Sequence, residues 1–272
     1  MVRDPHRDSP LHRYWLSLLI FLGTGTLGCS GPALEPSSTA GDRASRNSRT
    51  AQSGRPTFTL EGLQTADLCL STTPIQTDKR LHLHLFITTG TSTELAQTAV
   101  NSARIVWERL GLTIDQPHTT LLGPDIPTRV FDAEAADDAQ RLAPLQKILR
   151  AVKPAPETIP VVVLDGFVDT PSALSKLRGL TVPGKNQTLD SNVPQTVWDA
   201  LDRPAFPVIL LDAAAGPRAP GDLTLTPAHE LGHALGLSHR SADEALMSSG
   251  DLSLRCIPGL TPGEWSVILP DP

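Results

Sequence analysis

Basic clusters, aromatic residues and long apolar runs are all scarce in this chain. No block of lysine or arginine is long enough to neutralise a run of phosphates, and aromatic residues make up only 4% of the 272 positions. Nucleic acid therefore finds neither a charged track nor stacking platforms, and it is excluded as a partner. The balance is acidic, with a formal net charge of -6. Tyrosine occurs once, at Tyr14, methionine at Met1 and Met247, and cysteine at Cys29, Cys69 and Cys256. An apolar share of 39% is enough for one domain with a real core and too little to demand two.

The N-terminus reads as an export address. Arg3, Arg7 and Arg13 precede an apolar run over residues 14–22, too short to span a bilayer comfortably, and small residues then lead to Cys29. The stretch ending Gly23-Thr24-Gly25-Thr26-Leu27-Gly28-Cys29 resembles a bacterial lipoprotein signal, in which the cysteine is lipidated and becomes the new N-terminus. Thr26 stands where such signals usually carry leucine, so ordinary secretory cleavage nearby is the alternative. Either route gives an extracytoplasmic protein, anchored as a lipoprotein, in the outer membrane by first expectation, or secreted. Residues 1–28 are thus assigned to export. Residues 29–57 form a polar, disordered tether, and residues 58–272 form the folded domain.

With Cys29 consumed by lipid, Cys69 and Cys256 remain as an even pair in an oxidising compartment, and a disulfide between them is the leading reading. Two buried free thiols, or Cys69 as a thiolate blocking a metal, are the alternatives.

Along the domain, residues 80–89 alternate at the period of a strand, with Leu81, Leu83, Leu85 and Ile87 on one face and His82 and His84 on the other, expected to be a polar sheet face. Thr91 and Glu94 suggest a capping box for a helix that runs through Leu95, Ala99, Ala103, Val106 and Leu110 to Gly111. Residues 133–152 have helical composition, broken or restarted at Pro144. Asp137 and Asp138 belong to its solvated surface rather than to an ion site. Residues 159–164 form a valine-rich strand buried on both faces, and residues 206–211 a last strand. Thr170-Pro171 opens a short helix that Gly179 closes, and no element is assigned over 180–202.

The chemistry lies in Thr226-Pro227-Ala228-His229-Glu230-Leu231-Gly232-His233-Ala234-Leu235-Gly236-Leu237-Ser238-His239. Thr226 suits an N-cap and Pro227 the first helical position. His229 and His233 then lie one turn apart on one face and reach a single metal ion, with Glu230 beside them placed to take a proton from water. If the helix continued, His239 would be nearly two turns away from His233. Gly236 supplies the left-handed residue that ends the helix and lets His239 return. Three neutral nitrogens with a fourth position open describe a catalytic zinc site rather than a structural one.

This segment is similar to the metzincin consensus of zinc metallopeptidases, and closest in character to matrixin-like enzymes. Ala245-Leu246-Met247-Ser248 resembles the family's Met-turn, and Leu260-Thr261-Pro262-Gly263-Glu264 the start of its C-terminal helix. The resemblance implies an α/β single domain: a twisted mixed sheet with an antiparallel edge strand, packed on a long helix and on the zinc-binding helix. It further implies Zn2+ held by His229, His233 and His239, Glu230 as general base, Met247 as an apolar floor, and protein or peptide substrates. By the same resemblance the strand at 206–211 would border the cleft and pair with substrate. A catalytically inactive, metal-holding lipoprotein of the same fold is the alternative.

Overall fold

The computed structural model describes residues 63–64, 67–69, 74–75, 77–132, 134–135, 137–167, 178–187, 195–213, 225–240, 245–248 and 256–269. The export segment, the tether and the helix expected from Thr170 lie outside the described residues, except that Gly179 begins a strand instead of closing a helix.

The described strands are β1 (Arg80–Ile87), β2 (Thr113–Ile114), β3 (His118–Leu121), β4 (Thr158–Leu164), β5 (Gly179–Val182) and β6 (Val208–Asp212). Helices α1 (Thr93–Leu110), α2 (Asp138–Ala151), α3 (Gln195–Asp199), α4 (Thr226–Ala234) and α5 (Pro262–Ile268) join or follow them. The strand order is β2-β1-β4-β6-β5, with β3 also paired to β1. All pairings are parallel except β5 on β6, which is antiparallel and forms one edge. This is the mixed α/β sheet with an antiparallel edge strand expected from the sequence.

Alternation along β1 explains the layering. Leu81, Leu83, Leu85 and Ile87 face a core shared with α1, α4 and α5, to which β4 and β6 add Val161, Val163, Ile209 and Leu211. The opposite face carries Phe86, Val162, Leu164, Val208 and Leu210 against α2 and Trp198 of α3. Both faces are therefore covered, which is why β4 and β6 read as unbroken apolar runs.

Four expectations change in detail. The cap of α1 is Ser92, whose hydroxyl accepts from the Leu95 N–H at 3.3 Å, while the Thr91 hydroxyl lies 3.0 Å from that of Thr88. Pro144 does not break α2, which runs from its Asp137 cap to Ala151. The carbonyl left without a helical partner belongs to exposed Gln140, where water serves it. The face of β1 bearing His84 is not a solvated one. His84 is buried, accepts from the Ala155 N–H at Nδ1 and lies 2.8 Å from the Thr120 hydroxyl through Nε2, and burial lowers its pKa. Of the two histidines only His82, 3.0 Å from Asp115, remains exposed. Finally, β6 is interior, bonded to β4 and β5, so it has no free edge for a substrate.

Trp107 connects the long helix to α4: its indole N–H donates to the Ala228 carbonyl at 3.0 Å, and its ring meets Trp265 edge to face. A second tie joins the two ends of the described domain. Cys69 and Cys256 form a disulfide, and the backbone beside it is paired, with the Cys69 N–H donating to Ile257 and the Ile257 N–H to Asp67. Cys69 is thus not a thiolate available to a metal. Because the link closes a loop of 187 residues, replacing both cysteines by serine is expected to remove about 2–5 kcal/mol of stability. Urea unfolding reads this directly, and a midpoint equal to the parent's would show that the link contributes nothing.

Candidate metal centre

Helix α4 lies buried between α1 and β5, and every residue from Pro227 to Ala234 is buried. Its N-cap is Leu225 with no side-chain capping bond, so Thr226 is the first helical residue and not the cap. His229 and His233 project one turn apart. The helix then stops in a Schellman arrangement: the Gly236 N–H donates to His233 at 2.9 Å and the Leu237 N–H to Gly232 at 3.0 Å, with Gly236 at φ 94°. That left-handed residue turns the chain so that His239 returns to the other two imidazoles.

The three Nε2 atoms lie 3.1, 3.1 and 3.3 Å apart. Nitrogens at tetrahedral positions around a zinc ion, each about 2.0–2.1 Å from it, are separated by about 3.3–3.4 Å. The tautomers support the same reading. His229 Nδ1 lies 2.8 Å from the Leu246 carbonyl and His233 Nδ1 lies 2.7 Å from the Leu237 carbonyl, so each Nδ1 is the donor and each Nε2 presents a lone pair. A proton on His239 serves one of the Nε2 contacts at a time. A cation at the centre serves all three, and the donor set fits Zn2+.

Met247 is fully buried and packs against Gly232. A Cβ at Gly232 would lie 2.4 Å from the Met247 sulfur, so the glycine leaves the methionine its place. The turn is also fixed through its backbone, because the Arg240 N–H donates to the Met247 carbonyl at 2.8 Å and Ala245 bridges Gly259. One short segment therefore orients His229 through Leu246 and secures the chain just after His239 through Met247. Arg240 reaches on to Glu264, 3.0 Å away, whose carboxylate caps α5 with Thr261.

Glu230 is buried at 7% exposure, and its carboxylate faces β5. The Thr181 hydroxyl lies 2.7 Å from Oε2. Burial raises the Glu230 pKa to about 7, against the lowering effect of hydrogen bonding to Thr181. Burial lowers His229 to about 4, with His239 adding to the effect and the Leu246 carbonyl opposing it. Burial also lowers His233 to about 3, assisted by His229 and His239. Both ligands are thus neutral, the form that binds a metal, throughout the neutral range.

Residues 180–250 match the Peptidase_M10 family model, Matrixin. The matched segment runs from β5 through β6 and α4 to just past Met247, so it contains all three histidines and Glu230 and omits β1 to β4. No curated protein matches the chain. Among solved structures, metalloproteinase-II from Bacteroides fragilis is similar at 15% identity and TM-score 0.43, covering 77% of this chain and 60% of that one. The chain thus spans three fifths of that protein's length. The archaemetzincin of Methanopyrus kandleri is similar at 19% identity and TM-score 0.42, covering 72% of this chain and 97% of its own. A zinc-dependent peptidase from Methanocorpusculum labreanum gives 15% identity and TM-score 0.38, with 68% and 99% covered.

Of the residues singled out in the sequence, His229, His233 and His239 come together at one place, Glu230 lies on the same helix with its carboxylate toward β5, Met247 packs against Gly232, and Cys69 pairs with Cys256. Cys29 lies outside the described residues. Sequence reasoning missed Thr181 and Gly179, which reach Glu230 from a strand whose four residues carry no period long enough to recognise.

Two outcomes follow from this geometry. Gly236→Ala forces a side chain into the left-handed region and should cost about 1–2 kcal/mol in thermal or urea unfolding. It should also weaken zinc binding in chelator competition, and unchanged affinity would mean that His239 does not depend on the turn. The second concerns protons. Three ordinary histidines of pKa 6.5 would release about two protons on binding zinc at pH 6. With His229 and His233 held well below that pKa, fewer than about one should be released in Glu230→Gln, as read by calorimetry in buffers of different ionisation enthalpy. The same depression means that the metal-free fold loses stability as pH falls from 6.5 towards about 4, because the unfolded chain takes up these protons first.

Proposed function

We propose that this protein is a zinc-dependent endopeptidase that hydrolyses peptide bonds of extracytoplasmic proteins. The observation that carries the reading is the convergence of three imidazole Nε2 atoms within 3.3 Å, two of them from the helix that bears Glu230. Three protein ligands leave room for a fourth, which separates a reactive centre from a closed structural one.

A bound zinc ion supplies the Lewis acidity that polarises the scissile carbonyl and the attacking water, and the charge that steadies the oxyanion. The chain's own groups do the rest. Glu230 takes a proton from the water as its oxygen adds to the carbonyl carbon, and returns that proton to the amine nitrogen as the C–N bond breaks. A buried carboxyl with a pKa near 7 both accepts and returns a proton at neutral pH. The only tyrosine, Tyr14, lies in the export segment, so no phenol joins the reaction.

The edge of β5 supports binding of an extended peptide. The Arg178 carbonyl accepts from the Asp212 N–H, and Gly179 and Thr181 fall at the intervening positions, so their backbone groups point away from β6. Among the described residues no strand pairs with this edge, which lies beside Glu230, and such an edge suits main-chain recognition, which tolerates many side chains. The edge role expected of β6 therefore passes to β5.

Extracytoplasmic action rests on the export signal over residues 1–28 and is supported by the disulfide, which persists in an oxidising compartment. Lipidation of Cys29 would anchor the enzyme, with residues 29–57 as its tether, and secretion is the outcome if cleavage falls elsewhere.

Incubating the zinc-loaded protein with casein or a quenched peptide library should show cleavage. Glu230→Ala should lower the rate by about 10^2–10^4-fold while keeping its zinc. Zinc bound without turnover in either form would overturn the reading and favour the metal-holding alternative.

A further inference from the structure

We propose that Thr181 is the positioning residue for Glu230: it anchors one carboxylate oxygen to the edge strand so that the other faces the reacting atoms. The inference rests on the peptidase reading above and adds to it a residue on β5. Thr181 is buried at 4% exposure and meets Glu230 in two ways. Its hydroxyl lies 2.7 Å from Oε2 and 2.9 Å from the Glu230 main-chain carbonyl. The single hydroxyl proton goes to the shorter and charged contact when the carboxylate is ionised, where a hydrogen bond is strongest.

The far side of the carboxylate is shaped by the same strand. A Cβ at Gly179 would lie 2.5 Å from Glu230 Cγ and 2.8 Å from Oε1, so the absence of a side chain there leaves Oε1 its place. Gly179 and Thr181, two residues apart, share one face of β5 and flank the carboxylate between them. A glutamate side chain has three rotatable bonds, and a general base that wanders by about 1 Å loses about 100-fold in rate. Fixing Oε2 from outside its own helix removes that freedom, and among the described side chains Thr181 is the one that does so.

Thr181→Val keeps the shape and strand preference but removes the hydroxyl, whereas Thr181→Ser keeps the hydroxyl. With a quenched peptide, Thr181→Val should lower kcat by about 10- to 100-fold with KM within about twofold and zinc content unchanged, and Thr181→Ser should recover to within about threefold of the parent. An unaltered kcat in Thr181→Val, or a serine variant as slow as the valine one, would overturn the proposal. A second measurement needs no activity: urea unfolding of Thr181→Val, Glu230→Ala and the double variant. Direct engagement predicts that the two effects fail to multiply by at least about threefold in the unfolding constant, and independent effects would refute it. If the parent protein cleaves nothing, the peptidase reading falls, and this cycle alone still decides whether Thr181 holds Glu230.

Discussion

Three imidazole nitrogens held 3.1–3.3 Å apart, with the lone pairs of at least two aimed at a common point, repel one another until a cation lies among them. Such an arrangement survives only where the surrounding chain gives the rings no other choice. Here the constraint is backbone: carbonyls of Leu246 and Leu237 set two tautomers, and a left-handed glycine sets the return of the third ring. Metal affinity is therefore built into the way the chain folds after α4 rather than into the histidines alone.

The supports of this centre form a chain of contacts that leads outward from it. Gly232 admits Met247, the Met247 carbonyl receives the Arg240 N–H, and Arg240 meets the carboxylate that caps α5. Ala245 bridges Gly259, two residues beyond Ile257, which bridges Leu68 beside the Cys69–Cys256 disulfide. On the other side, Trp107 fastens the start of α4 to the long helix. The site is thus clamped between covalent and packed elements that come from both ends of the domain, while β5 closes the side on which the Glu230 carboxylate lies.

Much of the centre was legible before any coordinates. Helical periodicity places His229 and His233 on one face, and the need to reverse direction before His239 gives Gly236 its role; both are local properties of fourteen consecutive residues. The sheet strands β1, β4 and β6 were legible for the same reason, since alternation and unbroken apolar runs report burial on one face or two. Local errors were small and had local causes. Ser92 competed successfully with Thr91 for the cap, and Pro144 was tolerated where the carbonyl it deprives faces water.

What the sequence by itself determined is the metal-binding chemistry and its spacing, because a helix and a glycine turn obey rules of a few residues' range. Only the tertiary structure decided that β5 ends the sheet among the described residues, that β6 is enclosed, and that Thr181 reaches Glu230 across 49 residues of chain. Strand order and cross-element contacts follow from which surfaces bury together, and a four-residue strand such as β5 takes its place from its neighbours, not from its own pattern.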